Sequence, residues 1–405
     1  MAAFLHSLSR TRPISSSRKI LCIAAVAMAA LAPASVAAPS ASAVPPRPLR
    51  AELSQAGRSL TFTLRTSKPV ALAKLDRLPQ AKGSHYVCLE LRRIGRSGTR
   101  RLCLGGAGKA RQRVGLELLG GAGKETGEDT LAATLKRPNA EKLVLTLLPG
   151  DAGLAPHRYR WRVIADLGGC GRKAGRSCEA SLPGKGDRVF RLRPVRAVGC
   201  TGGDTGLDTS GPRDRNVVAL TFDDGPSDYT PAFLDVLRDK HVDGTFFEVG
   251  QEIPGRESTL RRILSEGSEI GNHTTHHTEL PGFADIAQTS GLIRSATHFE
   301  PCLFRPPGGA VNPSVLSAAG EDGLRTITWD VDPGDWMNPG SGAVHSRIVN
   351  AIQPGSIILM HDGGGDRGGT LAALPGIIDT LRARGYRFAT VSELLGERLI
   401  YKPYG

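Results

Sequence analysis

The periodicity of the chain changes once, near residue 215, and no single layer architecture accommodates both sides of that change. Before it, "SLTFTLRT", "HYVCLELRRI", "KLVLTLLP", "HRYRWRVIAD" and "RVFRLRPV" alternate apolar and polar residues at period two, separated by turns such as "GGAGK" and "PGDAG". Short runs of this kind, with no helical stretch among them, predict an antiparallel sandwich over residues 44–199, immunoglobulin- or fibronectin-like. After it, apolar runs such as "NVVALTF", "GTFFEVG", "TITWDVD" and "GSIILMHDG" alternate with helical patterns such as "TPAFLDVLRDKHV" and "LPGIIDTLRARG". That alternation predicts an α/β domain over residues 216–400 with a largely parallel sheet or barrel. The polar, Gly-rich "CTGGDTGLDTSGPRDR", residues 200–215, is expected to link the two. The fold class expected is therefore α/β, an irregular (β/α) barrel preceded by an all-β sandwich-like domain.

Charge divides at the same place. Residues 44–200 carry +19 and residues 201–405 carry −10, within a total of +13. A basic half joined to an acidic half implies different tasks. The arginines of the first half occupy polar strand positions, as in "RYRWR", so one sheet face is expected to be cationic. Such a face is either simply solvated or attached to an anionic polymer of the cell envelope.

Residues 1–43 read as a secretory signal peptide. Arg10, Arg12, Arg18 and Lys19 precede the apolar run 20–32, and small-residue cleavage sites follow at "SVAA" and "ASAV". The run falls short of the about 20 residues a span requires, so no stable membrane anchor is expected. The protein is expected to be secreted, extracellular or cell-wall associated, which makes nucleic acid a poor partner. Cys22 lies in the signal, leaving Cys88, Cys103, Cys170, Cys178, Cys200 and Cys302. An even number in an exported chain argues for disulfides. Sequence proximity favours Cys88–Cys103 and Cys170–Cys178, with Cys200–Cys302 remaining.

In α/β folds the chemistry gathers at the C-terminal ends of the strands. Asp223 and Asp224 follow "LTF", His273 and His277 follow "EIGN", and Arg305 follows "LF"; Asp332 and Asp335 follow "TITWDV", and His361 follows "SIILM". Catalytic zinc takes three His or Asp ligands and keeps one position open. Two histidines four apart reach one metal if they share a helical turn, which favours His273 and His277 over His273 and His276. One carboxylate of the Asp223–Asp224 pair would complete the set, and the other would serve as a base. His361 would protonate a leaving group, and Arg305 would hold the base carboxylate through a bidentate pair. Singly, each feature has a plainer reading: a polar surface cluster, an Asp-rich turn, a rigid "RPPGG" loop, a helix cap at "LMHDG".

Taken in order, "LTFDDGPS", "GNHTTHH", "FRPPGG", "WDVDPGDW" and "IILMHDG" resemble the five motifs of the polysaccharide deacetylase family, the NodB-type carbohydrate esterases, over about residues 215–400. Five motifs in order are far more specific than any one. The resemblance implies that Asp223 is the catalytic base and that Asp224, His273 and His277 hold a divalent metal, usually zinc and sometimes cobalt. His276 falls at a variable position of the motif. Arg305 matches the arginine that pairs with the base, His361 the general acid, and Asp335 the carboxylate that tunes it. Trp336 and Leu359 match the apolar walls of the acetyl pocket. The family often has "RPPYG", and Gly308 stands here in place of the tyrosine. The resemblance assigns the backbone N–H at this position to the oxyanion, and glycine keeps that donor.

The implied reaction is metal-assisted removal of N-acetyl groups from a glycan of N-acetylglucosamine type, peptidoglycan or chitin-like. One alternative is an O-acetyl xylan esterase of the same fold. Another is a non-catalytic cell-wall-binding protein acting through residues 44–199, disfavoured because every motif residue named above for metal and proton transfer is present.

Overall fold

Period-two burial is realised strand by strand. In Ser59–Thr66, Leu60, Phe62 and Leu64 are buried while the residues between them are not, and in His157–Asp166 the buried set begins Tyr159, Trp161, Val163. The computed structural model describes residues 46–72, 75, 85–107, 111–119, 125–131, 133–167 and 179–404. The expected signal peptide and the Cys170–Cys178 pair lie outside these residues.

The strands before residue 193 form two antiparallel sheets. One runs Pro48–Ala56, Ser59–Thr66, Lys142–Leu147, Ala133–Asn139. The other runs Ala180–Leu182, His157–Asp166, Tyr86–Arg93, Thr99–Ala107, Arg111–Leu119, Glu125–Leu131, and Arg188–Leu192 also pairs with His157–Asp166. Phe62 and Leu145 of the first sheet share a core with Leu89, Leu91, Trp161 and Val163 of the second. Cys88 and Cys103, register partners on adjacent strands, form a disulfide.

The second half is built on parallel strands. Their order is Leu207–Asp208, Arg325–Ile327, Leu303–Phe304, Glu269–Asn272, Thr245–Glu248, Val217–Gly225, Ile357–His361, and Arg387–Phe388 pairs with Val217–Gly225. Isolated bridges from Ser210 to Ser356 and from Val331 to Ile358 bring the segments that follow the first two strands of this order against the last one. Helices alternate with the strands: Thr230–Asp239, Glu257–Glu266, Phe283–Thr297, Pro313–Glu321, Ser341–Ala351 and Gly368–Ala383. Local chemistry sets their ends. Pro231 opens the first, and the Asn312 side chain accepts from the Val315 N–H at the start of the fourth. Val218, Leu220 and Phe222 pack outward against Phe233, Leu237 and Ile378. Ala219, Thr221 and Asp223, the alternate residues, therefore face the barrel interior.

The stretch 200–215 is more tightly built in than a linker. Cys200 ends the strand Val195–Cys200, which pairs with Leu399–Pro403, and is disulfide-bonded to Cys302. Leu207–Asp208 joins the parallel sheet, and the Arg325 guanidinium pairs with Asp208 at 2.5 Å and Glu397 at 2.9 Å. The charged residues of 200–215, Asp204, Asp208, Arg213, Asp214 and Arg215, all take part in ion pairs. Across the two halves Arg58 reaches Asp243 at 3.5 Å and the carbonyl oxygen of Glu266, and residues 44–405 pack as one compact unit. No helix among the described residues is long and apolar enough to cross a membrane.

Candidate active site

Consecutive residues in a strand point to opposite faces, so Asp223 and Asp224 would ordinarily separate. A register shift between Asp223 and Gly225, with a left-handed φ of 72° at Asp224, turns the second carboxylate to the histidine side. Asp tolerates that conformation better than most residues. Gly364 allows the neighbouring loop to close over it. A Cβ there would collide with Asp224 Oδ2, and its own φ is 70°.

The two histidines meet, but not on a helix. Residues 273–280 form a loop in which Thr274 and His277 adopt φ of 67° and 57°. The shared helical turn that favoured this pair is thus replaced by two left-handed residues, held by Asn272 Oδ1 accepting from the Thr274 N–H at 2.9 Å. His273 Nδ1 is 2.7 Å from the Arg305 carbonyl oxygen, which fixes the tautomer and turns Nε2 toward Asp224. His273 Nε2 and His277 Nε2 lie 3.4 Å and 3.1 Å from Asp224 Oδ1. His276 turns away, with Nδ1 3.2 Å from Gln251 Oε1.

These groups suit a divalent cation. Asp224, His273 and His277 each offer a ligand atom, all within 4.8 Å of one another. Asp224 Oδ1 is buried, yet despite its short distances it meets hydrogen-bond geometry with neither ring. A carboxylate oxygen left without a donor beside two imidazole nitrogens is the environment a zinc-like ion would satisfy. Burial alone would push the Asp224 carboxyl up, but the adjoining His273 and His277 hold it well below the usual carboxylate range.

Arg305 is fully buried and donates from one guanidinium nitrogen to Asp223 Oδ1 and Thr221 Oγ1, both at 2.7 Å. The expected bidentate pair is not formed. Nε donates to the Ile327 carbonyl at 3.3 Å and the second terminal nitrogen to the Thr328 carbonyl at 3.1 Å, so only one fork tip remains for Asp223. The cation also lies 4.1 Å from the centre of the Phe247 ring.

His361 is the register neighbour of Asp223 on the adjoining parallel strand. Its Nδ1 is 2.8 Å from Asp335 Oδ1, and Asp335 Oδ2 accepts from the His361 N–H and the Thr370 hydroxyl, each at 2.9 Å. Nε2 is left as the nitrogen able to exchange a proton. Burial draws the imidazole pKa down, but Asp335, with Asp223 and Asp224 nearby, raises it above its ordinary value.

Leu359 is buried on the same strand face as His361, opposite Thr221, whereas Trp336 is 54% exposed at the rim. Gly308 sits in the loop after Arg305 with φ 63°. The nearest atoms to a Cβ there belong to Glu279, at 3.7 Å. Asp332 stands apart, accepting from the Gly334 N–H at 2.7 Å to close a turn.

Two carboxyls escaped the sequence analysis. Glu248 and Asp362 are fully buried, and an oxygen of each lies 2.8 Å from where a Cβ on Gly225 would sit. Burial pushes Asp362 up to about 7 and Glu248 well above its ordinary value. The only sequence signal was an acid inside the apolar run "GTFFEVG" and the aspartate following His361.

A family model described as polysaccharide deacetylase matches residues 210–327, which include the carboxylate pair, the histidine loop and Arg305. A peptidoglycan-N-acetylglucosamine deacetylase of Bacillus cereus is 42% identical over 192 residues, covering 45% of this chain and 90% of its own length. A chitooligosaccharide deacetylase of Bradyrhizobium is 35% identical over 206 residues, covering 46% of this chain and 93% of its own. A solved peptidoglycan N-acetylglucosamine deacetylase aligns with TM-score 0.46 and 32% identity, over 47% of this chain and 93% of that one. With nine-tenths of the Bacillus relative matched at 42% identity, the chain belongs to the polysaccharide deacetylase family.

Proposed function

We propose that the protein removes N-acetyl groups from an N-acetylglucosamine glycan outside the cell, peptidoglycan or a chitin-like polymer. The observation that carries this reading is the convergence of Asp224, His273 and His277 beside Asp223 and His361 at neighbouring strand ends. The relatives named for peptidoglycan and chitooligosaccharide deacetylation support the choice of sugar.

Asp224, His273 and His277 would hold a divalent ion, most simply zinc, which when bound supplies Lewis acidity to an acetyl carbonyl and lowers the pKa of water. Asp223 takes the proton of the attacking water as its oxygen bonds to the acetyl carbon. Arg305 fixes the orientation of that carboxylate and balances its charge inside the barrel. The Gly308 N–H is the donor to the oxyanion. As the carbon–nitrogen bond breaks, His361 Nε2 gives its proton to the departing amine, and Asp335 stabilises the charged imidazole beforehand. The products are acetate and a free amino sugar. Leu359 and Trp336 wall the acetyl methyl group.

The rest of the chain fits an exported enzyme. The −10 charge of the catalytic half tolerates a product that becomes cationic as acetyl groups leave, and residues 44–199 act as an accessory module that attaches to an anionic wall polymer. The test is parallel measurement of acetate and new primary amine from chitin oligomers, peptidoglycan and acetylated xylan. Equal yields of both from the glucosamine glycans are expected. Acetate from xylan alone, without amine, would overturn the amide reading in favour of an esterase.

A further inference from the structure

The strand register gathers arginines on one face of the larger N-terminal sheet. Opposite residues of an antiparallel pair share a face. Arg158 pairs with Arg191, Arg160 with Val189 and Arg92, and Arg162 with Glu90, which in turn pairs with Arg101. Six arginines, Arg92, Arg101, Arg158, Arg160, Arg162 and Arg191, therefore stand on the side away from the core, where Glu90, Asp187 and, toward the Tyr86 end, Glu179 and Asp166 are the acidic neighbours. Glu90 clamps two of them, accepting from Arg162 at 2.7 Å and Arg101 at 2.7 Å, while Arg92 donates to Asp187 at 2.8 Å. No ion-pair partner of Arg158, Arg160 or Arg191 occurs among the described residues. Around Arg160 the face is recessed by about 250 Å³, with Arg92, Arg101 and Arg162 on its walls.

We propose that this face binds a linear phosphodiester polymer, a reading that rests on the attachment role assigned above to residues 44–199. Arg158, Arg160 and Arg162 alternate along one strand, so the Cα atoms that carry successive guanidinium groups stand about 6.8 Å apart. Two residues of extended strand and one repeat of a three-carbon polyol phosphate each comprise six backbone bonds. One phosphate can thus meet each arginine in turn. The planar fork of arginine matches phosphate oxygens in a way an ammonium does not. Arg92, Arg101 and Arg162, each held by a carboxylate, stand on the walls of the recess around unpaired Arg160, and unpaired Arg158 and Arg191 extend the strip beyond it.

The experiment measures binding of the whole protein to linear poly(glycerol phosphate), to polygalacturonate and to phosphatidylglycerol vesicles, across a salt series. The comparison proteins are Arg158→Ser/Arg160→Ser/Arg191→Ser and the single reversal Arg160→Glu. All three positions are exposed, and none belongs to the catalytic site. Wild type should bind poly(glycerol phosphate) best and release it as salt rises. The triple variant should bind roughly tenfold more weakly or worse, and Arg160→Glu should fall between the two. Acetate release from soluble chitin oligomers by the same preparations should be unchanged, which separates failure here from failure of the deacetylase reading. Undiminished binding by either variant, no binding by wild type, or preference for polygalacturonate or vesicles would overturn the proposal.

Discussion

Arg305 and Asp223 offer the sharpest energetic test, because both are buried and the cation is shared unequally among its partners. Arg305→Met removes the guanidinium from Asp223, Thr221 and the Ile327 and Thr328 carbonyls at once. It leaves a carboxylate 2% exposed with its cation gone. Breaking a buried pair from the cationic side costs about 3–5 kcal/mol. Asp223→Asn is milder, since Arg305 keeps the hydroxyl, both carbonyls and the Phe247 ring; loss of one charged hydrogen bond costs about 1.5–3 kcal/mol. In the double variant no charge is orphaned. Its cost should therefore lie well below the sum of the singles, with a coupling of about 2 kcal/mol or more. Urea unfolding of the four proteins without metal measures this. A methionine single variant too unstable to isolate, beside a folded double variant, meets the same expectation. Additivity within about 0.5 kcal/mol would refute the claim that Arg305 acts on Asp223 through charge.

Asp335→Asn removes the hydrogen bond and charge that raise His361, so the alkaline limb of kcat against pH should move downward. The sign follows from linkage: an imidazole raised above its ordinary 6.5 stabilises the fold below that pH and loses the contribution as pH rises through its folded value. An unchanged limb would exclude His361 as the acid. Gly364→Ala should weaken zinc binding, read by competition with a chelating dye, because its methyl would displace Asp224 Oδ2; unaltered affinity would contradict that placement. Removing Cys200–Cys302 should destabilise more than removing Cys88–Cys103. The separations of 102 and 15 residues correspond to about 4.7 and 3 kcal/mol of loop entropy, and thermal melts of Ser pairs in equimolar comparison would reveal the reverse order.

Sequence carried the strands and helices because burial follows period two and period 3.6 with few exceptions, as in Leu60, Phe62 and Leu64 or Phe233, Leu234 and Leu237. It singled out the candidate site residues because they fall at strand ends. What it missed is backbone conformation that no residue type announces. His273 and His277 were paired for a helical reason, and the structure pairs them through left-handed Thr274 and His277. Asp223 and Asp224 reach one site only through a register shift. The single contact from Arg305 depends on two carbonyls from the strand end Ile327 and the residue after it, which tertiary packing alone brings near. Residues 200–215 read as a linker because strand Leu207–Asp208 is too short to show a period.

The central claim is that a metal held by Asp224, His273 and His277 works with Asp223 as base. The most direct measurement strips the protein with chelator and titrates zinc back while following both bound metal and acetate release from a chitin oligomer. Wild type and Asp223→Asn are run side by side. The account predicts that wild type recovers activity as one zinc binds per chain, and that Asp223→Asn binds one zinc while releasing about a hundredfold less acetate or lower still. Full activity in the chelated protein, or an Asp223→Asn protein as active as wild type, would contradict it.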